Sequence, residues 1–385
     1  MAFPGHAERI NRRMMSRSAV FRVDASLAIG AGHVMRCLTL AEELRELGWT
    51  TRFVCRDHPG HMIEAVQARG FSVAVLPRGH EEFPPCFAVT PGHPAWLGVS
   101  WQLDVEQTLA ALGDEVPDWL VVDHYGLDSG WESEVRPHVG SLLVIDDLAE
   151  TSHVPDLLLN QNLGASPALY RDTLPPACRV LTGTAYTLLR PGFAKLRGAS
   201  LLRLQQCKVE HLVISMGGVD AIDATSQVLA ILQDVRLPTL RKISVVMGGS
   251  APWLSKVQSL CKNLPVRSEV LVNVADMPAL LATADLVIGA AGSSAWERCV
   301  LGLPTIMVVV ADNQRHAAHA LREAGAAALI EHVDALSDQL AGVLQVLASD
   351  PEVLHQMSRS ASDVCDGLGA ARVVAEMQLP GEVKK

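Results

Sequence analysis

The chain is poor in charge, and in positive charge especially. Only 19% of its 385 residues are Asp, Glu, Lys or Arg, while 49% are apolar. That balance supplies ample material for buried cores and excludes wholesale disorder. Lysine and arginine number 32 against 42 acidic residues, for a formal net charge of −10. Such a chain has no bulk attraction for phosphate backbones or anionic lipid, so neither a nucleic-acid nor a membrane partner is expected. An anionic ligand has to be held by local dipoles. CxxC pairs are also missing. The eight cysteines stand singly, which predicts reduced core thiols in a cytoplasmic protein. No run approaches the roughly 18 apolar residues of a membrane span. Residues 1–18 lack the apolar stretch of about 7–15 residues that marks a secretory signal, and they read as a non-conforming extension, with Met14 and Met15 as alternative starts.

What is present is one pattern used twice. Short apolar runs at Val20–Val23, Thr51–Val54, Ser72–Leu76, Trp119–Asp123 and Leu142–Asp146 alternate with helical periodicity, as in Val34–Leu47. Continuous apolar strands separated by helices predict parallel sheets covered on both faces. The grammar restarts with strands at His211–Ser215, Ile243–Met247, Val266–Val270, Asp285–Ile288 and Thr305–Val310. Arg190-Pro191-Gly192 interrupts the pattern, and a polar stretch from Arg203 to Lys208 precedes the restart. The expected fold class is therefore α/β, with two Rossmann-like, doubly wound parallel-sheet domains at 19–200 and 201–385 facing across a cleft. Helices from about Leu336 to Met377 close the second domain, and the last of them is expected to pack on the first. The aperiodic segment Arg78–Ser100 is too long for a plain connection and is expected to be a functional lid or poorly ordered.

Chemistry gathers where strands end. After the first strand come Gly30, Gly32, His33 and Arg36. Glycines between a strand and a helix let a ligand approach the backbone, and the helix start offers free N–H groups. The loop has no third glycine for a dinucleotide fingerprint and no Gly-Lys-Ser/Thr. His33 reads either as a surface histidine at a tight turn or as a general base. Asp123 and Tyr125 end a buried strand, where ligands of open α/β sheets bind. Asp123 reads equally as a helix cap. Asp146-Asp147 invites the same two readings and only weakly suggests a metal. In the second half, Gly217, Gly218 and Asp220 repeat the strand–glycine–helix device, as does Gly248. The densest instance is Gly289-Ala-Ala-Gly292-Ser293-Ser294-Ala-Trp296-Glu297, suited to seating a diphosphate, with Glu297 placed for a ribose diol. Asn313 follows the strand Thr305–Val310 into the same region. The pairs His58/His61 and His316/His319 lack carboxylate or cysteine company of the right kind, so no metal is expected and no cofactor is implied.

These segments resemble the GT-B architecture of MurG-type sugar-nucleotide enzymes, and more specifically the UDP-sugar hydrolase family of pseudaminic acid biosynthesis called PseG. The similar stretches are Arg22-Val-Asp24-Ala-Ser26 through Gly32-His33-Val-Met-Arg36-Cys37, Trp96–Trp101, Asp123–Asp128 and Asn160-Gln-Asn162. Others are Gly183 through Leu189-Arg190-Pro191, Met216–Asp220, Gly289 through Arg298, Leu301–Pro304 and Asn313-Gln314. The resemblance implies hydrolysis of UDP-2,4-diacetamido-2,4,6-trideoxy-β-L-altropyranose to UDP and the free sugar, with inversion. It implies His33 as the base that activates water, Tyr125 and Asn313 as further catalytic residues, and Glu297 on the ribose. A UDP-sugar is the implied partner, and pathway enzymes are not readable from the chain. Two other readings stay open: a GT-B glycosyltransferase in which His33 deprotonates an acceptor hydroxyl, and a non-catalytic nucleotide-sugar binder.

Overall fold

The computed structural model describes residues 17–79 and 93–379, the side chains of Pro94 and Asn313 excepted. Most of the N-terminal extension and most of the expected lid at Arg78–Ser100 lie outside these residues. The chain divides into two compact units. One takes the residues up to Asn160, Ser166–Thr182 and the residues from Val373 onward; the other takes Gln161–Ala165 and Gly183–Arg372.

The first unit is a sheet of seven strands, β1 (Ser18–Val23), β2 (Thr50–Arg56), β3 (Ser72–Leu76), β4 (Trp119–Asp123), β5 (Ser141–Ile145), β6 (Leu157–Asn160) and β7 (Arg179–Thr182). Their order is β3-β2-β1-β4-β5-β6-β7, every pairing parallel. Both faces are covered, so the strands read as unbroken apolar runs. On one face Val20, Val54, Leu120, Val122 and Leu142 pack with the fully buried Trp131. Phe21 and Phe53 stack at 4.9 Å, with Phe71 edge-on to Phe53. Each ring buried this way contributes about 1.5–3 kcal/mol. Helix α1 (Gly32–Glu46) buries Val34, Cys37, Leu38, Ala41 and Leu44, a stripe at helical spacing. Helices α2 (Ile63–Ala68), α3 (Trp101–Leu112) and α4 (Ser129–Val135) follow; Ser100 caps α3 and Asp128 caps α4 through side-chain oxygens. Strands β6 and β7 extend the sheet beyond the sequence expectation. Each has only four residues, too few for periodicity to register. A further link inside this unit joins Arg179 to Glu376, 2.9 Å to its carboxylate and 3.0 Å to its carbonyl.

The second unit repeats the plan. It runs from α5 (Pro191–Leu204) through β8 (His211–Ser215), α6 (Ala224–Asp234), β9 (Lys242–Met247), α7 (Leu254–Cys261) and β10 (Arg267–Val272). It continues with α8 (Met277–Leu281), β11 (Leu286–Ala290), α9 (Ser294–Val300), β12 (Thr305–Val308), α10 (Arg315–Glu323) and β13 (Ala328–Ile330). Helices α11 (Leu336–Ser349) and α12 (Pro351–Val364) complete it, and α13 (Gly369–Gln378) runs across the division at Arg372–Val373. The sheet order is β10-β9-β8-β11-β12-β13, all parallel. Among the described residues no helix is long and apolar enough to cross a membrane, and the seven described cysteines are free thiols.

In each sheet the strand order reverses once, between β1 and β4 and between β8 and β11. Crossovers leave in opposite directions at such a point, which opens a crevice at the carboxyl ends of the two strands. The polar residues singled out from sequence sit at these two places.

Candidate active site

The loop from β1 to α1 turns on Ser26, whose Oγ accepts from the N–H groups of Ala28 and Ile29, and on Gly30, which closes back on the Ser26 carbonyl at φ +79°. This sets His33 on the first turn of α1, facing the end of β4. His33 Nδ1 lies 2.6 Å from Asp123 Oδ1. A carboxylate only accepts, so Nδ1 carries a hydrogen and Nε2 is the nitrogen left for a ligand. No described residue bonds Nε2, and it is not among the sealed polar atoms, so it is open to solvent.

Arg36, one turn along α1, clamps the same carboxylate from Nε at 2.6 Å and Nη2 at 2.7 Å, and its Nη1 bonds Asp147. Burial pushes the Asp123 carboxyl up, but Arg36 and then His33 pull it further down, so it stays ionised far below the usual carboxylate range. Asp123 therefore orients the imidazole and does not take its proton. Tyr125 donates its hydroxyl to Asp147 at 2.7 Å. Burial and the adjacent Asp147 hold the phenol well above its ordinary value, so its one proton is committed to Asp147. What it offers a ligand is a ring and a lone pair. The ring stands edge-on to His33 at 4.6 Å, while Trp96 stacks on Tyr125 at 5.6 Å and on His93 at 4.5 Å.

Beside this lies a second charged network. Arg22 pairs with Asp24 at 2.8 Å and with Asp104 at 2.6 Å; Arg56 pairs with Asp104 at 2.6 Å; Trp131 Nε1 donates to Asp104 at 3.0 Å. His124 Nδ1 accepts from the Gly126 N–H, so its Nε2–H faces Asp24, 3.4 Å away, with His58 Nε2 at 3.6 Å from the same oxygen. An Nε2 that holds its hydrogen is no metal ligand, and among the described residues no group of three His, Cys, Asp or Glu is arranged to hold a metal ion. His61 pairs with Asp57 and Glu64, and His319 with Glu331.

The glycine-rich residues of the second unit divide by task. Both oxygens of Asp220 are taken by the N–H groups of Ala224 and Thr225 at 3.0 and 2.9 Å, which commits it to capping α6. Gly248 donates its N–H to the Gly218 carbonyl, and a Cβ there would lie 2.4 Å from that oxygen, so close backbone approach explains this glycine. Gly217, at φ +95°, makes the turn out of β8. At the end of β11 the picture differs. Gly292 and Ser293 are accessible, and no acceptor among the described residues meets the N–H groups of Gly292, Ser293 and Ser294. Glu297 is bonded by Arg190 at 3.2 Å; burial raises its carboxyl despite the guanidinium. Asn313 lies in the turn Asp312–Gln314, its side chain outside the described residues. Gly32 is the first residue of α1.

The structure thus gathers His33, Arg36, Asp123 and Tyr125 at the switch point of the first unit, and Gly217, Gly218, Gly292, Ser293, Ser294 and Glu297 at that of the second. Asp147, singled out from sequence with Asp146, ties Arg36 to Tyr125. The structure adds His93, which joins Trp96 in the ring wall; nothing in the local pattern marks it.

Residues 208–372 match the Glycosyltransferase family 28 C-terminal domain. Over 244 residues the chain is 25% identical to the UDP-2,4-diacetamido-2,4,6-trideoxy-β-L-altropyranose hydrolase of Campylobacter jejuni, covering 63% of this chain and 74% of that protein. Over 297 residues it is 23% identical to an uncharacterised protein of Methanocaldococcus jannaschii, covering 76% of this chain and only 55% of the archaeal one. Among solved structures, Acinetobacter baumannii MurG aligns with a TM-score of 0.68 at 16% identity, covering 94% of this chain and 99% of that one. The fold is accordingly that of the GT-B glycosyltransferases, with a family 28-like second half.

Proposed function

We propose that the protein is a cytoplasmic enzyme acting on a UDP-sugar, and that it hydrolyses UDP-2,4-diacetamido-2,4,6-trideoxy-β-L-altropyranose to UDP and 2,4-diacetamido-2,4,6-trideoxy-L-altropyranose. The observation that carries this reading is the His33–Asp123 pair with Nε2 left open: an imidazole held by a carboxylate at Nδ1, with its other nitrogen placed to take a proton from water. The similarity to the Campylobacter hydrolase supports the choice of substrate. Water, deprotonated by Nε2 as it attacks the anomeric carbon from the face opposite UDP, gives inversion. The anomeric phosphate is already a good leaving group, so the remaining need is charge stabilisation on the departing diphosphate. In the second unit, the free N–H groups around Ser293 are donors of the kind a diphosphate takes. The wall of Tyr125, Trp96 and His93 supplies apolar area for the sugar.

A second reading, transfer of the sugar to an acceptor hydroxyl, is favoured by the match to a glycosyltransferase domain over 208–372. The two are separated by measuring UDP release from the UDP-sugar with no acceptor and with EDTA present, for wild type and His33→Gln. Fast release lost in the variant supports the hydrolase. UDP binding without release moves the reading to a transferase.

A further inference from the structure

Arg298 lies one turn into α9 and is 2% exposed. Its partners are neutral: Nη2 donates to the Ala290 carbonyl at 2.8 Å and Nη1 to Ser294 Oγ at 3.1 Å, while Nε has no partner. No carboxylate among the described residues is within ion-pair reach of it, since the neighbouring Glu297 is paired with Arg190. Glycine at 289 makes room for it, because a Cβ there would stand 3.0 Å from Nη1. A buried charge without a counter-charge is costly, and buried cations are ordinarily paired. Burial lowers the guanidinium to about 10, so it remains a cation at neutral pH. Two guanidiniums, Arg190 and Arg298, against the single carboxylate of Glu297 leave one positive charge in excess beneath the Gly292–Ser294 turn, in a chain whose net charge is −10.

We infer that Arg298 is a binding-site cation whose counter-charge is the diphosphate of the bound nucleotide, acting through the turn it braces. This rests on the UDP-sugar reading above. With Nη1 donating to Ser294 Oγ, that hydroxyl keeps its own hydrogen to give, and its dipole points the positive end outward. The ligand's negative charge then offsets a cost the empty protein carries alone. The charge is buried, so salt screens it little.

The test is calorimetric binding of UDP, uridine and inorganic pyrophosphate to the full chain, as wild type, Arg298→Gln and Arg298→Lys. Glutamine removes the charge but can still donate to the Ala290 carbonyl; lysine keeps the charge. We expect Arg298→Gln to weaken UDP and pyrophosphate roughly ten- to a hundredfold, as one charge at intermediate dielectric predicts, with uridine unchanged. Arg298→Lys should stay within about threefold of wild type for all three. Unchanged UDP affinity in Arg298→Gln overturns the inference, as does an equal loss for uridine, which would make Arg298 a structural brace. If Arg298→Gln does not fold, the lysine variant decides, because loss of UDP with uridine retained would show that hydrogen-bond geometry matters and not charge. Wild type that binds pyrophosphate but not UDP would leave the cation standing and remove the nucleotide reading. Binding of neither overturns both.

Discussion

Two charged networks in the first unit use the same residue types to opposite ends. Arg22, Arg56, Asp24, Asp104, His58 and His124 form one; Arg36, Asp123, Asp147 and His33 form the other. The first is sealed, with Arg22, Arg56 and Asp104 fully buried. Trp131 and the backbone N–H of Arg56 bond its carboxylates, while His124 Nε2, His58 Nε2 and Asp24 Oδ2 are enclosed without a hydrogen-bond partner. The second is built around the same arginine–carboxylate pairing but leaves one imidazole nitrogen open. The lesson is that charge clustering and perturbed titration do not by themselves separate a site from a scaffold. Both Asp24 and Asp123 are held well below the ordinary range. The separation lies in access: the unpartnered atoms of the first network are enclosed, and His33 Nε2 is not.

That contrast can be broken most sharply at the histidines. On the proposed reaction, His33→Gln should slow UDP release on the order of 10²- to 10⁴-fold in single-turnover measurements, the usual worth of a general base. His124→Gln should leave the rate within a few-fold. Comparable rate losses in the two would erase the distinction. The carboxylates give the converse. Asp104→Asn, by stranding Arg22 and Arg56, should cost about 3–5 kcal/mol in urea unfolding, whereas Asp123→Asn, in which Arg36 keeps Asp147 as a partner, should cost less in unfolding and slow the rate as well by spoiling the His33 tautomer.

Acid titration sharpens the scaffold side. Asp24, Asp104 and Asp123 have folded values below their unfolded ones. Their contribution is present above about pH 4, the unfolded carboxylate value, and is lost as pH falls through the folded values. Thermal melts should therefore fall steeply below pH 4, and less steeply in Asp104→Asn. The smallest effects are expected at the edges of the open site. Asp147→Asn removes the carboxylate that ties Arg36 to Tyr125 and should lower kcat for UDP release by only a few-fold. Trp96→Ala should raise KM about tenfold with kcat little changed, as expected if the ring wall binds sugar and takes no part in the chemistry.

Much of this was legible in the amino-acid order. Trp119–Asp123 is buried at every position, and an apolar run of that kind is enough by itself to announce a central parallel strand. Glycines followed by a helix marked the ends of β8, β9 and β11. What they could not show was which glycines serve a ligand. Gly248 is explained by the carbonyl of Gly218, and Asp220 by the helix it caps; both contacts join residues whose proximity depends on the sheet. Strands β6, β7 and β13 fell below the length at which a pattern can be told from chance. The pairing of His33 with Asp123 spans 90 positions, and only the parallel register of β1 and β4 brings them together.

The link between Arg179 and Glu376 carries a consequence for synthesis. The first unit needs residues from Val373 onward, 197 positions after Arg179 in the case of this pair. A ribosome that has released everything up to Thr182 has therefore not yet supplied the whole of that unit. The second unit is complete once Arg372 has emerged, so the half begun first is finished last. Its arginine waits, unpartnered, through the translation of the entire intervening half.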